Sequence, residues 1–144
     1  MARISLGLLL TLAFACVANA ATLLGFPDKV VDGATFSLCE GRACKMVRLC
    51  GVDAPKPGDA SAEQARTELL TILGGNMVKC ISVGGGTPCD GLQSATMQDM
   101  IVAQCMIGSK DIAEWMVTEG HDCDLVKSSG GHYSNGNQEK ACPQ

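Results

Sequence analysis

Five residues carry groups whose chemistry could converge on one site: Asp32, Thr35, Arg48, Asp53 and Lys56. The Arg48 guanidinium is a planar fork of donors that suits the oxygens of a phosphate. Its other use is an ion pair with Asp53 at the mouth of a folded domain. Lys56 stands nearby and would extend Arg48 into an anion pocket, although a lysine in a proline-rich loop is also simply a solvated cation. Asp32 precedes Gly33, and an Asp-Gly pair forms turns, so its carboxylate either supports a turn or reaches a metal.

The second set is nine cysteines. Cys16 lies within the first twenty residues, which have the layout of a cleaved secretory leader. Arg3 supplies the charge, residues 4–17 form an apolar run, and Ala18-Asn19-Ala20 places small residues before the cut. The run is shorter than the ~20 residues a membrane span needs. Lipidation of Cys16 is disfavoured because Ala13-Phe14-Ala15 lacks leucine. No later stretch is apolar enough to span a membrane. The reading is therefore a leader over 1–20 and one domain over 21–144, with a core over about 23–122 and a tail from 123. The product is exported, periplasmic or secreted. Without Cys16 eight cysteines remain, and an even number in such a chain points to a disulfide framework.

The elements that must position these residues follow from periodicity. Val30 and Val31 end a first strand. Phe36 and Leu38, then Met46, Val47 and Leu49, make two strands around a Gly41-Arg42 turn, which sets Cys39 opposite Cys44 at bridging distance. Residues 53–59 are a loop. Ala62, Ala65, Leu69, Leu70 and Leu73 recur at helical spacing, capped by Asp59 or Ser61 and stopped by Gly74-Gly75. Residues 77–82 alternate as a strand. A glycine-rich connection runs from Gly84 to about Met97, mobile unless Cys89 ties it down. Residues 100–107 form another strand. A helix capped by Ser109 buries Ile112, Trp115 and Met116 and stops at Gly120. The tail is polar, and only Cys142 holds it.

This order suits a mainly β (α+β) domain, a five-stranded Greek-key barrel of the OB type with two to three helices, stabilised by disulfides. Besides Cys39–Cys44, the expected bridges are Cys80–Cys105 across the last two strands, Cys123–Cys142 on the tail and, by elimination, Cys50–Cys89. Zinc is disfavoured: no C-x-x-C occurs, and His121 and His132 lie far from most cysteines. Met97 and Met100 suggest soft metals, but core filling is the commoner use of methionine.

Two segments carry a resemblance. Val30-Val31-Asp32-Gly33-Ala34-Thr35-Phe36 and Arg48-Leu49-Cys50-Gly51-Val52-Asp53-Ala54-Pro55 resemble the signatures of the staphylococcal nuclease (thermonuclease) family. Asp111-Ile112-Ala113-Glu114-Trp115-Met116-Val117-Thr118-Glu119-Gly120 is similar to the family's helix near the end of its barrel. The resemblance implies a five-stranded OB barrel with three helices that cleaves DNA and RNA with calcium. Calcium takes carboxylates and carbonyls, a glutamate acts as base toward water, and two arginines meet the charge on phosphate. Asp32, Thr35, Arg48 and Asp53 stand at matching positions. The second calcium aspartate is replaced by Ala34, the threonine by Ala54 and the glutamate by Lys56. The second arginine belongs near Met100, yet Arg66 is the last arginine of the chain.

The whole chain has 11 basic and 15 acidic residues, a net charge of −4, which excludes a strong sequence-independent grip on nucleic acid. The expected function is a nuclease-like exported barrel without efficient catalysis. It weakly binds a nucleic acid, a nucleotide or another anion through Asp32, Thr35, Arg48, Asp53 and Lys56, and needs no cofactor. A weak phosphodiesterase using Ca2+ at Asp53 and Asp32, with Arg48 on the phosphate, is one alternative. A disulfide-rich interaction scaffold is the other.

Overall fold

The computed structural model describes residues 19–144, so the leader assigned to residues 1–20 lies almost wholly outside the described residues. β1 (Thr22–Asp32), β2 (Thr35–Glu40) and β3 (Ala43–Leu49) form an antiparallel meander. The short β4 (Val52–Asp53) follows, then α1 (Ala62–Leu73) and β5 (Val78–Ser82), which pairs antiparallel with β1. β6 (Thr96–Met97) folds back on β7 (Met100–Ile107), and β7 pairs with β5. β8 (Lys110–Asp111), α2 (Ile112–Thr118), β9 (Cys123–Asp124) and α3 (Val126–Ser129) complete the chain, with a 3-10 turn over Gln138–Lys140.

β3 and β7 close the sheet on itself by parallel pairing of Val47 with Ile101, Arg48 with Val102 and Leu49 with Ala103. Strands β1, β2, β3, β5 and β7 are thus a closed five-stranded barrel of the OB type, with three helices. Alternation along the strands sends Phe36, Leu38, Val47 and Leu49 into the barrel, where all four are buried. α1 adds Ala65, Leu69 and Leu73, and α2 adds Ile112, Met116 and Val117 to the same core.

Three of the expected bridges are present: Cys39–Cys44, Cys80–Cys105 and Cys123–Cys142. The first two join residues directly opposite in register. Cys50 and Cys89, the fourth expected pair, lie together as buried thiols.

Several local expectations change. The cap of α2 is Asp111, not Ser109. Its carboxylate accepts from the backbone N–H groups of Ala113 (2.9 Å) and Glu114 (3.4 Å), because the short β8 intervenes before the helix begins. Trp115, expected to be buried, is only partly so and packs at the edge of the core. Its Nε1 donates to Glu68 (3.2 Å), and the Lys110 ammonium lies 3.7 Å from the ring centroid. The glycine-rich connection is pinned by Asp90, which accepts from Gly84 N (2.7 Å), Gly86 N (2.8 Å) and Thr87 Oγ1 (2.6 Å). The Thr87 hydroxyl, followed by the Gly84 N–H, holds the Asp90 carboxyl down at about 2.

The tail also folds on more than Cys142. Asp124 is fully buried and accepts from Ser129 Oγ and from Ser134 N (2.8 Å), while Tyr133 is buried against the barrel.

Candidate functional site

Arg48 is the outward residue between two inward ones, Val47 and Leu49, on the strand that closes the barrel. Directly across the ladder is Thr35, whose Oγ1 accepts from Arg48 Nη1 (3.1 Å). Asp32 ends β1, with its Oδ1 accepting from Ala34 N (2.8 Å) and its Oδ2 3.7 Å from Arg48 Nη1. Asp53 arrives from β4, which is held in place by pairing with β9. Its Oδ1 accepts from Arg48 Nη2 at 2.6 Å and its Oδ2 from Lys56 Nζ at 3.3 Å.

Asp32, Thr35, Arg48, Asp53 and Lys56 are therefore all brought together. Asp32 supports the turn at Gly33, and Arg48 is ion-paired to Asp53. The side chain of Arg48 is only 13% exposed, whereas that of Lys56 is 77% exposed. Two cations share one carboxylate, so the Lys56 pair contributes little stability while the half-buried Arg48–Asp53 pair contributes more.

These residues floor an open cleft of about 550 Å³, with Val31, Met97 and Met100 on its apolar shoulders. Met97 and Val31 are exposed there, so Met97 is a cleft residue and not core filler. Met97 sits beside a two-residue turn of Gln98 and Asp99, both at positive φ (47° and 66°), a conformation that costs on the order of 1 kcal/mol per residue.

Calcium does not fit this arrangement. It takes about six to eight oxygens, but both Asp53 oxygens face cations and one Asp32 oxygen faces a backbone N–H. Ala34, where the resemblance requires a carboxylate, is a fully buried core methyl. Among the described residues no three His, Cys, Asp or Glu side chains are grouped to hold a metal ion.

One site residue escaped sequence reasoning. Asp122 follows α2 in a polar stretch that reads as surface loop, yet it is 6% exposed and neither carboxyl oxygen has a hydrogen-bond partner. Burial pushes its carboxyl up to about 8, and the charges of Asp32 and Asp53 push the same way against the pull of Arg48. Both effects favour its neutral form, packed under the Arg48 cluster. Gly33 makes room for it: a Cβ there would lie 2.5 Å from Asp122 Oδ1 and 2.8 Å from the Ala65 methyl. The one hint in the sequence is its place beside Cys123, whose bridge draws the segment inward.

Fold and site together define a disulfide-bonded OB-type barrel with an ion-paired cation pair in an open cleft. No protein-family model matches the chain, and no curated protein matches it.

Proposed function

We propose that this is an exported, nuclease-like OB barrel that binds an anionic ligand, a phosphodiester or nucleotide, over Arg48 and Lys56 without efficient catalysis. The observation that carries this reading is the Lys56 ammonium, exposed at the rim of the cleft and linked to Arg48 through the shared Asp53 carboxylate. An anion entering the cleft meets Lys56 first and then competes with Asp53 for Arg48. Val31, Met97 and Met100 offer apolar surface to the body of the ligand.

Catalysis is poorly served by the same residues. A general base must hold a lone pair free toward water. Asp53 is engaged by two cations, and the Asp122 carboxyl is closed off, with both oxygens buried. Because the ligand must break the Arg48–Asp53 contact and gains only two cations, affinity is weak and salt dependence shallow, near that of two phosphate contacts. Export is supported by the leader pattern and by three disulfides, which persist in oxidising compartments.

The test is a titration of the oxidised protein with a nucleoside 3′,5′-bisphosphate, read by melting temperature and Trp115 fluorescence. A shift at millimolar ligand that is lost in Lys56→Ala supports the reading. No shift at all removes the inherited phosphate pocket. Calcium-dependent cleavage of single-stranded DNA or RNA that disappears in Arg48→Ala would replace it with the phosphodiesterase reading.

A further inference from the structure

Just past the end of β3, Cys50 and Cys89 form a small buried cluster with Val83 and Val102. Cys50 is fixed to β7 by its backbone N–H, which donates to Ala103 O at 2.9 Å. Cys89 belongs to the glycine-rich loop, whose Asp90 turn and Gln93 side chain hold it against the barrel. Gln93 Oε1 accepts from Gly51 N at 2.9 Å. The Cys50 sulfur lies close to Cys89, Tyr133 and Thr87. Space between them is tight: a Cβ on Gly51 would lie 3.0 Å from Cys89 Sγ and 3.0 Å from the Tyr133 ring.

We propose that Cys50 and Cys89 are a thiol–disulfide exchange site, with Cys50 the attacking sulfur and Cys89 the resolving one, which closes as a fourth bridge after the barrel has folded. The asymmetry has a physical source. The contact with Cys89 lowers the Cys50 thiol against the opposing effect of burial, and Tyr133 adds to it; the same contact and burial raise Cys89. Tyr133 has one hydroxyl proton, and while Cys50 is a thiol that proton goes to the better acceptor, Asp111 Oδ2, at 3.3 Å.

The chemistry needs a low-molecular-weight disulfide as oxidant. The Cys50 thiolate attacks one sulfur of that disulfide, forming a mixed disulfide and releasing one thiolate. The Cys89 thiolate then attacks the Cys50 sulfur, forms the Cys50–Cys89 bond and releases the second. Two protein thiols are oxidised, one external disulfide is reduced to two thiols, and the two protons pass to the released thiolates. Both cysteines are fully buried, so the oxidant enters only when the loop held by Asp90 opens. Closure then ties the loop leading to Met97 and the cleft to the end of β3.

The experiment treats the folded mature protein with oxidised glutathione, alkylates it under denaturing conditions and maps the peptides. The expected result is that Cys50 and Cys89 both lose alkylation and appear in one linked peptide. In Cys89→Ser, glutathione stays on Cys50; in Cys50→Ser, Cys89 remains unmodified; and Asp90→Ala speeds closure in the wild-type cysteine background. Two alkylated thiols after exhaustive treatment, a bridge from either cysteine to a third, or adduct on Cys89 in place of Cys50 would each overturn the proposal.

Discussion

Replacing Asp122 with asparagine isolates the effect of its buried proton. The folded protein holds the Asp122 carboxyl near 8, against an ordinary value of 3.8. The folded state therefore binds this proton more tightly than the unfolded chain does. Such a group contributes stability that is fully present below about pH 4 and is lost as pH rises towards 8. Every tenfold difference in proton affinity between the two states is worth about 1.4 kcal/mol. The wild-type protein should lose roughly 3–4 kcal/mol between pH 5 and pH 8 on this account alone, a large part of the ~5–15 kcal/mol that holds a domain together. Asparagine keeps the shape and cannot ionise. Its amide donors find no partners at a site where neither carboxyl oxygen has one. That cost is about 1–3 kcal/mol, comparable to the cost already borne by the neutral acid. At pH 5 the two proteins should therefore have similar stability, and at pH 8 Asp122→Asn should be the more stable by several kcal/mol. Urea unfolding at a series of pH values, with all disulfides intact, reads this directly. Stability curves that run parallel across pH 5–8 would refute the reasoning, whatever the offset between them.

Two further substitutions test the packing around the other buried cluster. Gly51→Ala meets a φ of 73° and contacts of 2.9–3.0 Å with Ser129, Cys89 and Tyr133, so it should cost about 2–4 kcal/mol in urea unfolding. Tyr133→Phe removes only the hydroxyl that donates to Asp111, which also accepts from Gln104 Nε2 (2.7 Å), and should cost about 0.5–1.5 kcal/mol with the tail still folded.

The barrel was legible in the sequence because its signals are local. Alternation at Phe36, Leu38, Val47 and Leu49 needs only period two, and the Gly41-Arg42 turn sets Cys39 against Cys44 by geometry alone. The cation pair was legible because charged residues in a short span are few. Asp122 and Tyr133 were not legible. Both lie in segments whose neighbours are polar, and their burial comes from long-range partners: Gly33 and the Arg48 cluster around one, Asp111 and Gly51 around the other. The tail misled for the same reason. Its glycines and serines read as solvent-facing, yet Asp124 gathers Ser129 and Ser134 into a closed polar network. Whether Arg48 was paired or free could be settled only by geometry, since either outcome has the same composition.

The parallel seam between β3 and β7 has a consequence for how the molecule assembles. It joins Val47 to Ile101 and Arg48 to Val102, positions far apart in the chain, whereas the Cys39–Cys44 bridge closes a separation of only five. Contacts of long range form late, because loop entropy must be lost before they return anything. The meander of β1 to β3 is local and can form early, but it carries Arg48 on an open edge. Until β7 arrives, the floor of the cleft has no second wall. On the proposed function, an anion bound at Arg48 would report this late closure, and refolding followed through that binding should lag behind refolding followed through strand content.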